Sequence, residues 1–183
     1  QKEVLEGTDL VIQLDFPPYT WPKEAEQNFI NYINEGRGGW IGFHHATLLG
    51  DFYGYHLLQL FSDFMGGIRF QNYIAPLADG TVIVEDKEHP VMKVVDASFV
   101  VQDYEWYTYD KSPRPNVRVL AHVDESTYTP ASAVKMGDHP VVWVNEGKAA
   151  RNVYFQMGHS PKLFQSDDLT MMLSNAIRWT LKK

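Results

Sequence analysis

The segment Gly36–Ala46, GRGGWIGFHHA, restricts the fold more than any other stretch of the chain. A glycine-rich turn leads into a short apolar run, Trp40–Phe43, which reads as a buried strand. That strand ends directly on two histidines, His44 and His45. In an open parallel sheet, ligands bind in the crevice outside the carboxyl ends of the strands. A strand that delivers imidazoles to that edge places titratable, ligand-capable groups there. The same position is the nucleophile elbow of G-x-S-x-G enzymes. Here it holds neither Ser nor Cys, which argues against a covalent Ser or Cys mechanism at this turn.

The flanking periodicity fits a βαβ arrangement. Asp9–Leu14 reads as a buried strand. Residues 22–35 read as a helix, with Ala25, Phe29, Tyr32 and Ile33 on one face, Pro22 in the first turn and Gly36 as the stop. Leu57, Leu60, Phe61, Phe64 and Met65 recur at helical spacing before Gly66–Gly67, and His56 falls on the exposed side of that helix. A last helix spans 167–181, capped by Ser166 and closed by Lys182–Lys183. Alternation of strand and helix implies right-handed crossovers and a parallel sheet. The middle of the chain differs. Thr81–Glu85, Phe99–Asp103, Val117–Val123, Val141–Asn145 and Asn152–Met157 are strand-like, with too few helices between them, so several should be antiparallel. The expected fold class is α/β, a single domain over residues 1–183 with antiparallel additions. Residues 1–8 are too short for the strand and helix that should precede Asp9, so part of the domain is expected to be missing or supplied by a partner.

Composition narrows the function classes. At 183 residues one core suffices, since such a chain buries about 70% of its unfolded surface. With no cysteine, no disulfide, thiolate ligand or thiol nucleophile exists. A formal net charge of −7 argues against a nucleic-acid groove or an anionic membrane surface. No apolar stretch approaches a membrane span. Ten Tyr, ten Phe and five Trp make an aromatic-rich composition, and exposed aromatics suit sugar faces. The competing reading is that they fill the core. The chain starts at Gln1, so the compartment stays open between periplasmic or secreted and cytoplasmic.

Four segments carry candidate chemistry. On a regular strand His44 and His45 point to opposite faces, so one should enter the crevice, and His44 is the better choice. The plainer reading makes them a core histidine and a surface one. VYFQMGHS is a second strand ending in Gly158 and His159, which reaches the same crevice if the two strands are neighbours. In QDYEWY, an extended backbone puts Asp103, Glu105 and Tyr107 on one face and Tyr104 and Trp106 on the other. Glu105 then suits a general acid or base, and Tyr107 a donor to a substrate oxygen. Of the two His-Pro dipeptides, His139 precedes a strand and is the better site candidate, while His89 and His122 read as structural. Three or four of His44, His45, Glu105, His139 and His159 would form a zinc or other divalent-metal site, although no tight motif such as H-E-x-x-H occurs.

The order GRGGWIGFHHA, DKEHPV, QDYEWY, DHPVVW, ARNVYFQMGHS, NAIRWTL resembles the trehalose-utilisation (ThuA-like) family from about Asp9 to Trp179. That resemblance implies a flavodoxin-like three-layer domain, similar to class I glutamine amidotransferases, with a mostly parallel sheet and helices on both faces. His44 occupies the position of their elbow cysteine and His159 that of their late histidine, so the scaffold is implied without glutaminase chemistry. It also implies a small carbohydrate as partner, a disaccharide or keto-sugar, and an activity of the glycosyl-hydrolase kind. The expected roles are His44, Glu105 and His159 as catalytic groups, with His45, Tyr107 and His139 contacting substrate. A non-catalytic sugar-binding protein, or an assembly subunit whose exposed sheet edge is completed by another chain, is the alternative; a homo-oligomer is a further expected partner state.

Overall fold

In a computed structural model, residues 2–14 and 16–181 are described. The end of the last helix assigned to Lys182–Lys183 lies outside them.

The expected helices appear as α2 (Lys23–Asn34), α3 (Gln59–Phe64) and α4 (Asp167–Thr180), after a short α1 (Lys2–Glu6). Pro22 caps α2 rather than opening it, and Gly36 follows at φ +65, a conformation that favours glycine. Ser166 caps α4 by accepting the Leu169 N–H at 3.4 Å. α3 is shorter than its periodicity suggests, and His56 precedes it in an exposed loop rather than lying on the helix.

The strands are β1 (Leu10–Gln13), β2 (Gly39–Phe43), β3 (Phe70–Tyr73), β4 (Ala78–Val84), β5 (Ser98–Tyr104), β6 (Tyr107–Tyr109), β7 (Arg118–Thr129), β8 (Pro140–Val144) and β9 (Asn152–Phe155). Seven form one sheet in the order β1-β2-β9-β8-β7-β4-β5, and β3 pairs with β6 in a small separate sheet. β1, β2 and β9 pair in parallel, and the remaining neighbours pair antiparallel. Five strands therefore point one way, while β8 and β4 run against them. The parallel part coincides with the helical crossovers, and the helix-poor middle supplies the antiparallel strands.

Alternation along β2 and β9 divides the core. Trp40 and Tyr154 face α2 and α3, packing with Phe29, Ile33, Phe61 and Phe64. Ile41, Phe43, Val153 and Phe155 face α4 and meet Leu169, Met172 and Ala176. Both strands are buried throughout, which explains their continuous apolar runs. The result is a three-layer α/β fold. No helix among the described residues is long and apolar enough to cross a membrane.

One edge of the sheet gathers the candidate chemistry. β2, β9 and β5 end there, just before His44, His159 and Glu105. β8 begins there, just after His139, because it runs in the opposite direction.

Candidate functional site

β2 does not continue past Phe43. His44 turns at φ +34, and His44–Thr47 form a single 3₁₀ turn. A non-glycine residue at positive φ costs energy, and such outliers concentrate at functional sites. The turn is held from below. The His44 carbonyl accepts hydrogen bonds from Thr47 Oγ1 and the Tyr154 hydroxyl, both at 3.0 Å. This break overturns the expected opposition of the two histidines: their rings lie on one side, 4.8 Å apart.

His159 joins them because β2 and β9 are neighbours, with Phe43 opposite Phe155. Gly158, at φ +151, lets the chain turn back over β2, and a Cβ there would sit 2.9 Å from that of Phe43. The His159 ring lies 4.9 Å from His44 and 5.8 Å from His45. His44 is buried, His45 half-buried and His159 exposed. His159 also lines a cleft of about 720 Å³ together with Val101, Gln102, Asp103, Met157 and Ser160. That volume suits a small-molecule site.

Glu105 Oε2 lies 3.2 Å from His44 Nε2. Burial is the largest influence on His44 and lowers its pKa; the Glu105 hydrogen bond opposes it, and His45 and His159 lower it further. The same hydrogen bond is the main reason the Glu105 pKa falls below the usual carboxylate value, with burial opposing. A neutral imidazole therefore faces an ionised carboxylate at neutral pH. Nε2 faces Glu105, while Nδ1 faces the Tyr104 hydroxyl oxygen at 2.6 Å and the Gln156 main-chain carbonyl at 3.1 Å; the hydroxyl donates to that carbonyl, so both oxygens favour a proton on Nδ1.

QDYEWY is not extended throughout. Asp103 sits at φ +47, with its N–H donating to Asp79 Oδ1 at 2.9 Å, and β5 ends at Tyr104. The chain bends there, so Asp103 is exposed and Tyr104, expected on the far face, turns in to His44. Tyr107 belongs to β6 and lays its ring over His44 at 3.9 Å.

The model of the ThuA family, described as trehalose utilisation, matches residues 1–180. The chain belongs to the ThuA family. Among solved structures, a protein described as thua-like from Bacteroides uniformis is 33% identical, with 98% of this chain and 71% of that chain covered at a TM-score of 0.84. A second thua-like protein, from Parabacteroides merdae, is 19% identical, covering 95% and 70% at a TM-score of 0.71. A protein from Thermoplasma acidophilum described as a GMP synthase subunit is 10% identical, covering 97% and 77% at 0.54. The last two share the fold, and the third agrees with the amidotransferase-like architecture. No curated protein matches.

Within this ThuA-family chain, His139 stands apart from the other histidines. It is buried, its Nδ1 lies 2.8 Å from Glu125 Oε1, and its Nε2 donates to the Tyr107 carbonyl at 2.8 Å. It supports the backbone of Tyr107 instead of bordering the cleft, so the expected contact with substrate is not what the geometry provides. Gln156 is a positioning residue that sequence reasoning missed. Its amide accepts the Tyr107 N–H at 3.2 Å and donates to the Tyr107 carbonyl at 3.0 Å. Its own carbonyl accepts from the Tyr104 hydroxyl. A polar residue within the apolar run VYFQM was the available signal, because a buried amide must find partners.

Glu125 ties this support to pH. Burial pushes its pKa up, but hydrogen bonds from His139 and from the Met136 and Gly137 N–H groups outweigh it, so the net shift is downward. A carboxyl whose folded pKa lies below its unfolded value stabilises the fold above the unfolded pKa, and that contribution disappears as pH falls through the folded one. Glu125→Gln is therefore expected to melt below the parent at pH 7, with the gap narrowing as pH falls through and below the ordinary glutamate range. Thermal unfolding across that range tests it, and a gap independent of pH would exclude the carboxylate as its source.

Proposed function

We propose that this chain processes a small carbohydrate, a disaccharide or keto-sugar, by acid–base chemistry at the histidine edge of the sheet. The observation carrying this reading is convergence. Three imidazoles and one ionised carboxylate come together from the turn after β2, the turn after β9 and the end of β5, beside a cleft of ligand size. The family's link to trehalose use supports the substrate class.

In this reading Glu105 is the general base, placed beside His44, whose Nδ1 proton is held by the Gln156 carbonyl and the Tyr104 oxygen. His159, exposed at the cleft wall, exchanges protons with the sugar. Tyr107 holds the His44 ring in place, so the catalytic imidazole does not depend on a flexible loop for its position.

The test is incubation of the purified protein with trehalose, other disaccharides and their 3-keto forms, followed by NMR. New product resonances are expected from at least one sugar. Saturation-transfer contacts without turnover would favour a sugar-binding protein, and neither turnover nor contact would remove the carbohydrate reading.

A further inference from the structure

We propose that His44, His45 and His159 bind one divalent transition-metal ion, of which zinc fits best, with Glu105 beside its open coordination position. The proposal concerns the same edge as the acid–base reading but needs no sugar for its test.

Each of the three histidines offers one ring nitrogen, and these atoms lie within 4.8 Å of one another. Bond lengths near 2.0–2.1 Å put tetrahedral zinc ligands about 3.3 Å apart, so no separation needs to close by more than about 1.5 Å. Side-chain rotation of half-buried His45 and exposed His159 supplies that movement, while buried His44 stays fixed.

His44 is oriented as a ligand should be. Its inner nitrogen, Nδ1, lies 3.1 Å from the Gln156 carbonyl, an acceptor ready for an Nδ1–H. That hydrogen bond fixes the tautomer whose Nε2 lone pair points outward, the usual second contact of a metal-binding histidine. Nε2 is the atom facing Glu105 at 3.2 Å, close to the spacing of two groups around one ion. Loading a metal thus requires no change at Nδ1.

The packing brings three imidazole donors together, with ring centroids 4.8, 4.9 and 5.8 Å apart. Imidazole donors suit zinc and its first-row neighbours. Three protein ligands and one open position are the arrangement of catalytic rather than structural zinc, and such an ion polarises a carbonyl oxygen such as that of a keto-sugar.

The experiment is a titration of metal-stripped protein with Zn²⁺ by calorimetry and with Co²⁺ by visible absorption. One ion per chain is expected, with a Co²⁺ spectrum of low coordination number. His45→Ala and His159→Ala should each weaken binding by more than about 100-fold, beyond what loss of a partner outside the ligand set costs. His56→Ala, which alters an exposed residue paired with Asp51, should bind as the parent does. Unfolding curves of the apo proteins confirm that the variants fold. No stoichiometric binding by the parent, or undiminished binding by both site variants, would overturn the proposal. Binding without sugar turnover would sustain it while removing the catalytic reading.

Discussion

Glu105→Gln is expected to fold like the parent and to turn over its sugar about 10²–10⁴ times more slowly, the usual contribution of a positioned acid–base group. Glutamine keeps the volume of the side chain, and its amide N–H can donate to His44 Nε2. What it removes is the negative charge and the basic lone pairs. His44 holds the Glu105 pKa down, so its charge stabilises the fold at neutral pH and the variant should unfold somewhat earlier than the parent at pH 7, while kcat falls far more. KM should stay within a few-fold, because the sugar's remaining contacts are untouched. Substrate turnover by the variant and the parent, with unfolding curves for both, makes the test. A kcat unchanged by the substitution would remove Glu105 from the chemistry and leave it as a structural partner of His44.

Much of this arrangement was legible because it is local. Strand β2 announces itself as an apolar run after a glycine turn, and the histidine pair marks where it stops. The helical periods of α2 and α4 set the layers on either side. His159 could be placed near His44 from the sequence alone once β9 was taken as a neighbour of β2. Two features were hidden because they depend on tertiary contacts. The turn at His44 is held by the hydroxyl of Tyr154, far away in the chain, and it puts the two imidazoles on one side. The bend at Asp103 depends on the Asp79 carboxylate from another strand, and it decides that Tyr104 rather than Asp103 joins the site. The short β3 and β6 were missed for a related reason. Neither carries enough alternation to be read alone, and each is stabilised by the other.

Trp40→Ala is expected to cost about 3–5 kcal/mol of stability, at the upper end for single substitutions. The indole is 1% exposed and makes edge contacts with Phe29, Phe61 and Phe64 at 6.2, 6.1 and 5.1 Å. Its N–H donates to Gln13 Oε1 at 3.2 Å, tying β2 to β1. One side chain thus keys α2 and α3 to the parallel strands, and its removal leaves a cavity walled by rigid rings that cannot collapse into it. The same packing explains Gly42, where a Cβ would lie 2.1 Å from the indole ring. Gly42→Ala should cost about 1–3 kcal/mol by overpacking, so both a smaller Trp40 and a larger Gly42 destabilise. Urea unfolding measures both: midpoints should fall with the slope unchanged. The consequence reaches the site, because the strand so anchored ends at Phe43, immediately before His44. A loss below about 1 kcal/mol for Trp40→Ala would mean that the layer is held elsewhere and that the elbow does not depend on this ring.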